Sequence, residues 1–173
     1  IKAPKPIEGK KQNPEVVQPG MAVFRVYLAF DKRCPEKVCF YFPMTEKQLE
    51  ALEEKCRTYD VDEVADYLSN IWELDQFIPP RLTFRELNQI AIEIQNLADK
   101  TTVSRKKLLA SLEAGVPRDA DAACQIIRNY KDYEFLPVQE LSAVNENNSL
   151  TTIEYYDSAG RLIQKLQKGI SPD

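Results

Sequence analysis

The sequence predicts an α+β fold: an N-terminal β-hairpin packed with acidic helices, a central helical segment, and a C-terminal β-hairpin. Three observations carry this. Apolar residues alternate with period two near the start of the chain, they recur every three or four residues through its middle, and period two returns at the end. Strand and helix patterns are thus segregated along the chain, where a doubly wound parallel sheet would alternate them.

Residues 1–20 come first and carry four prolines, two glycines and four lysines with no apolar period. They are expected to form a flexible lead-in, because such a segment buries too little surface to offset its ordering entropy. In residues 21–30, Phe24, Val26, Leu28 and Phe30 fall on one face and Val23, Arg25, Tyr27 and Ala29 on the other, which is a strand. Residues 31–37 are charged and contain Pro35, and residues 38–42 read as the returning strand of a hairpin that Pro43 stops.

Thr45 and Gln48 form a capping box that opens a helix with Leu49, Leu52 and Cys56 on its buried stripe. Val61, Val64, Ala65, Leu68, Ile71 and Trp72 follow at helical spacing, so a second helix is expected there. Pro79-Pro80 marks a boundary. Thr83 and Glu86 repeat the capping box ahead of Phe84, Leu87, Ala91, Ile94 and Ala98, with Ile90 and Leu97 beside that face. A further helix over 103–114 buries Leu108, Leu109 and Leu112, with Gly115 just past its end. Asp119 or Asp121 caps a short helix burying Ala123, Ile126 and Ile127. The aromatic cluster Tyr130, Tyr133 and Phe135 reads more readily as core than as a docking patch. Residues 150–156 and 161–166, joined by Asp157-Ser158-Ala159-Gly160, make the closing hairpin. The expected organisation is a lead-in over 1–20, a small α+β domain with an acidic helical face over 21–80, a helical domain over 81–137, and a hairpin with a tail over 138–173.

Composition narrows the chemistry. The 173 residues contain no histidine, which removes every Ser-His-Asp, Cys-His and His-ligated metal arrangement. Cys34, Cys39, Cys56 and Cys124 include no C-x-x-C pair, and reduced thiols in a cytoplasmic protein are the expected state. A bridge between Cys34 and Cys39 is possible but unsupported. No apolar run approaches the roughly 20 residues a membrane helix needs. The chain starts on isoleucine without a signal-peptide pattern, and a cytoplasmic fragment is expected. Phosphate-cradling glycine motifs and the nucleophile elbow are absent. The expectation is a protein without enzymatic activity, cofactor or metal. A carboxylate-dependent metal enzyme is the least favoured class.

Charge is distributed unevenly. The formal net charge is −4, yet residues 45–77 alone hold ten acids and three bases. The candidate partner-binding residues are those acids: Glu46, Glu50, Glu53, Glu54, Asp60, Asp62, Glu63, Asp66, Glu73 and Asp75. On two helices they would form a row about 50 Å long. Such a row can recruit a basic groove, including one built for nucleic acid. A charge run is most often just a solvated helix face, and spacing alone favours that explanation. Arg105-Lys106-Lys107 is an isolated basic triplet, and overall acidity argues against direct nucleic-acid binding. Residues 156–162 look like a single YD repeat of Rhs-type proteins, but one repeat has no neighbour to bury its face.

The order of short motifs carries a resemblance. Phe24-Arg25-Val26-Tyr27-Leu28 leads to Phe40-Tyr41-Phe42-Pro43 and an acidic helix, and an acidic Tyr/Asp/Glu stretch comes next. Leu82-Thr83-Phe84-Arg85-Glu86-Leu87-Asn88, Leu112-Glu113-Ala114-Gly115 and Asn129-Tyr130-Lys131-Asp132-Tyr133-Glu134-Phe135 follow. Over residues 22–137 this resembles the ArdA family of antirestriction proteins of conjugative elements, in the divergent form of Gram-positive gut bacteria. The resemblance implies a DNA mimic whose surface carboxylates stand in for phosphates. As an elongated dimer, such a protein occupies the DNA-binding groove of type I restriction–modification enzymes. The alternative expectation is a non-catalytic protein–protein interaction module of a mobile element, docking another basic partner through the same face.

Overall fold

The fold is mixed α+β, with antiparallel strand pairs and four helices among the described residues. The computed structural model describes Val17, residues 20–33 and 36–130 (apart from the Lys106 side chain), and the backbone of three strands at 134–137, 152–156 and 162–167.

Strands β1 (Phe24–Leu28) and β2 (Val38–Phe42) pair antiparallel from Phe24↔Phe42 to Leu28↔Val38, as the alternation predicts. Helix α1 (Glu46–Thr58) begins at the expected capping box. Thr45 Oγ1 accepts from Gln48 N at 3.2 Å, and Gln48 Oε1 accepts from Thr45 N at 2.9 Å. Leu49, Leu52 and Cys56 are buried on it, and burial raises the Cys56 thiol pKa.

The second acidic helix does not form. Residues 61–72 instead build β3 (Val64–Ala65) and β4 (Tyr67–Ser69), followed by a 3-10 turn at Leu74–Gln76. Local chemistry explains the outcome. Asp60 takes a left-handed φ of 54° past the end of α1, and the Asp62 side chain accepts from Val64 N at 3.2 Å, closing an Asx turn. Trp72 is also left-handed at φ 50°, which no helix through that point would permit. Along 65–69, buried and exposed residues alternate, with Ala65, Tyr67 and Ser69 inside and Asp66 and Leu68 outside. Leu68, expected in the core, is 43% exposed. β4 joins β1 on the side away from β2, giving a three-stranded antiparallel sheet in the order β2-β1-β4.

β3 pairs with β5 (Leu82–Thr83), which runs directly into α2 (Phe84–Lys100). Here too the capping box is as expected: Thr83 Oγ1 accepts from Glu86 N, and Glu86 Oε1 from Thr83 N. α2 packs on the inner face of the sheet, where Phe84 stacks on Phe42 with ring centroids 6.2 Å apart. Two buried amides on α2 hold both ends of the hairpin. Asn88 Oδ1 accepts from Met44 N at 2.6 Å while its Nδ2 donates to Met44 O at 3.1 Å. Gln95 Oε1 accepts from Gly20 N at 2.9 Å, and its Nε2 donates to Met21 O. Two residues expected in the flexible lead-in are therefore placed: Gly20 by Gln95, and Val17 by burial in the core.

α3 (Arg105–Gly115) extends one residue beyond expectation, and Val116, not glycine, takes the left-handed cap at φ 44°. Leu108 and Leu112 are buried on it and Leu109 half-buried. α4 (Ala120–Arg128) is capped by Asp119, whose carboxylate accepts from Ala122 N at 2.8 Å. It buries Ala123 and Ile127 with Ile126 only partly covered, and Cys124, also inside, has its thiol pKa pushed up by burial to about 11. One cluster of buried side chains runs from Val17 to Tyr130, with Trp72, Tyr130, Phe24, Phe42 and Phe84 its largest fully buried members. The Tyr133 and Phe135 side chains and the Cys34–Cys39 pairing lie outside the described residues. At the C-terminal end, β7 (Thr152–Tyr156) and β8 (Leu162–Gln167) form the expected antiparallel hairpin. β6 (Glu134–Pro137) adds to β7 in parallel, which the sequence did not suggest.

Candidate acidic interface

Replacing the second helix by strands breaks the single helical row of carboxylates. Only Glu46, Glu50, Glu53 and Glu54 are helical, on an α1 whose 13 residues span about 20 Å. Asp60, Asp62, Glu63 and Asp66 continue from its end through the Asx turn and β3 to the residue before β4. Glu73 and Asp75 follow β4, on and beside the 3-10 turn. Glu73 accepts from Arg105 of α3, with Arg105 Nη2 at 2.9 and 2.8 Å from its two oxygens. Asp75 caps the turn after β4: its N–H donates to Ser69 Oγ at 2.6 Å and its Oδ1 accepts from the same hydroxyl at 2.5 Å. Both are half-buried acids held by partners within the chain.

Arginines answer most of the remaining acids. Arg85, in the first turn of α2, places Nη2 at 2.7 Å and Nε at 2.9 Å from the two Glu53 oxygens, and Nη1 at 2.8 Å from Glu46. These charged acceptors, Glu53 first, hold the Arg85 pKa above its usual value. Arg57 lies 3.5 Å from Glu54 and 3.3 Å from Glu63, and Arg81 lies 3.9 Å from Asp62. Glu50, Asp60 and Asp66 are exposed and have no ion pair among the described residues. The surface is therefore acidic with interleaved arginine, not a bare row of carboxylates.

Sequence reasoning found the acids and missed their partners. Arg57 sits three residues from Glu54, a spacing that signals a helical pair. Arg81 and Arg85 are brought to α1 and its following loop only by the β3–β5 pairing and the packing of α2, and no local spacing announces that. The basic triplet is accounted for in part: Arg105 serves Glu73, and Lys107 Nζ lies 6.0 Å from the Tyr130 ring centroid.

Other chemistry is sparse. An open groove of about 350 Å³ lies between Phe77, Ile78, Pro79 and Pro80 and the end of α3 at Leu112, Val116 and Pro117. Among the described residues, Glu113 is the one titratable side chain on its wall, so no acid–base pair of those residues faces it. Among the described residues, no three His, Cys, Asp or Glu side chains converge as a metal site, and no helix is long and apolar enough to cross a membrane. Comparison with known proteins gives no match to a protein family, to a curated protein or to a solved structure.

Proposed function

We propose that this chain is an ArdA-like antirestriction protein of a mobile element, working in the cytoplasm as a decoy without turnover, cofactor or metal. Its acidic surface would occupy the DNA-binding groove of a type I restriction–modification enzyme. The motif resemblance over residues 22–137 supports the family reading, and one observation of the molecule supports the choice of contact surface. Among the described residues, Glu50, Asp60 and Asp66 stand exposed without a counter-charge on the same stretch that holds the ion-paired Glu46, Glu53, Glu54, Asp62 and Glu63. The exposed pairs of Arg57 with Glu54 and Glu63 and of Arg81 with Asp62 exchange readily with solvent and with new partners, whereas the half-buried Glu53 stays with Arg85. A basic groove presents enough cations to compete for those carboxylates, and association with it is strongest at low salt.

The interleaved arginines favour a second reading, a mixed-charge docking module for another protein of the element. The two readings differ in a titration of type I DNA cleavage with the purified protein. The decoy inhibits, and the variant carrying Glu50→Gln, Asp60→Asn and Asp66→Asn inhibits at least several-fold less while remaining folded. No inhibition across several type I enzymes, or equal potency of the variant, overturns the decoy reading.

A further inference from the structure

The outer face of the β2-β1-β4 sheet, on the side away from α2, carries a charge with nothing to answer it. Arg25 stands at the centre of that face, in register with Tyr41 on β2 and Leu68 on β4. Tyr27 and Cys39 form the neighbouring pair of the same face. The Arg25 residue is only 8% exposed, and a guanidinium cannot shed its proton to escape burial. Its Nη1 donates to Ser69 O at 2.9 Å and contacts Asn70 Oδ1 at 3.5 Å, two neutral acceptors that fix its orientation. Its Nε is buried without a hydrogen-bond partner, and no carboxylate pairs with it among the described residues.

Around this cation the face is partly open, with Tyr27 37% exposed and Leu68 43%, and Asp66 stands exposed at its edge, on the same side as Leu68. Arg57, Arg81, Arg85, Arg105 and Arg128 each reach a carboxylate from an exposed or half-exposed position, whereas Arg25, the most buried arginine among the described residues, reaches none there. Buried charges are ordinarily paired, and an Arg set among tyrosines is the composition of an interface centre.

We propose that this sheet face is a docking surface for a partner protein that inserts an acidic side chain, flanked by apolar residues, against Arg25. Charge complementarity selects the occupant. A second copy packed face to face across a two-fold axis would set the same patch against itself and oppose two uncompensated guanidinium groups. A carboxylate from a different surface accepts from Nη2, the guanidinium nitrogen engaged by no acceptor among the described residues, and is desolvated by Tyr27, Tyr41 and Leu68 as it enters. This inference does not depend on the decoy reading, because it rests on Arg25 and its register neighbours, although Asp66 of the acidic stretch borders the same face beside Leu68.

The test is an NMR titration of the full chain with the blocked tripeptide acetyl-Val-Glu-Val-amide and with its Gln analogue. The Glu peptide is expected to shift Tyr27, Cys39, Tyr41, Leu68 and the Arg25 Nε–H saturably, at least tenfold more tightly than the Gln peptide. Arg25→Met abolishes the difference, and Arg25→Lys retains part of it. Leu68→Glu is the control that needs no loss of Arg25: it supplies the carboxylate within the chain, so it is expected to raise the melting temperature and abolish peptide binding. Equal binding of the two peptides, or no saturation by either at about 10 mM, overturns the proposal. So does sedimentation showing a dimer that Arg25→Met dissociates, because the occupant is then a second copy.

Discussion

Arg85 clasps Glu53 through two parallel hydrogen bonds, 2.7 Å from Nη2 and 2.9 Å from Nε, and so ties the first turn of α2 to the middle of α1. The Glu53 side chain is 17% exposed beneath it, whereas Glu46, on the third bond, is 63% exposed. One guanidinium therefore neutralises two members of the acidic surface while bracing the helix that displays them.

Arg85→Gln separates those two roles. If the acidic surface stands in for phosphates, freeing Glu46 and Glu53 adds negative charge where the groove reads it. Inhibition of type I cleavage is then expected to strengthen several-fold at low salt, with the gain shrinking as salt rises. The melting temperature of the variant falls at the same time. A mixed-charge docking module instead loses affinity along with the arginine. Cleavage titrations at two salt concentrations, beside a thermal melt, distinguish these outcomes.

Asn88 tests what positions α1. Its side chain satisfies both the N–H and the carbonyl of Met44, immediately ahead of the Thr45 cap. Asn88→Leu keeps the volume but leaves two backbone groups without partners in a part-buried site, at a cost of about 2 kcal/mol. Urea unfolding should show that loss as a lower midpoint with an unchanged slope. An unchanged midpoint would mean that water reaches Met44 and replaces the amide.

How much of this was legible from the sequence depended on whether the signal was local. The two capping boxes and the β1–β2 hairpin rest on signals close in sequence and form as predicted, and Asp119, one of the two acids considered, caps α4. Residues 61–72 misled because their apolar spacing fits a helix, while the alternation of Ala65, Tyr67 and Ser69 is disguised by a small polar residue at an inward position. Asn88 and Gln95 were passed over for a related reason: polar residues on a core face are informative only when their partners, here the backbone of Met44, Gly20 and Met21, are known. The acids of the candidate surface were visible as composition. Their neutralisation by Arg81 and Arg85 was not, since those contacts are tertiary.

Alkaline pH offers a second probe of the sheet. The Tyr67 hydroxyl donates to Pro79 O at 2.6 Å and is buried against Phe24, and burial raises its pKa above the ordinary value of 10.0. Tyr41, desolvated and beside Cys39, is raised to about 12. Both phenols are kept protonated by the fold, so above pH 10 the unfolded chain gives up protons that the folded chain retains. Stability is full below pH 10 and is lost as pH rises past it. Tyr67→Phe is expected to cost about 1 kcal/mol at pH 8 through the lost hydrogen bond. The gap from wild type should narrow by pH 11, because phenylalanine has no proton to lose. A gap that stays constant across that range would show that Tyr67 ionises freely in the folded protein.

The most direct measurement of the central claim is displacement of a fluorescent DNA duplex from a type I methyltransferase core, followed by anisotropy as the full chain is added. The decoy account expects complete displacement, competitive with DNA and weakened by added salt. It also expects a shift to higher concentration when Glu50, Asp60 and Asp66 are changed to their amides. Retention of the duplex at saturating protein, or displacement indifferent both to salt and to those three carboxylates, contradicts it.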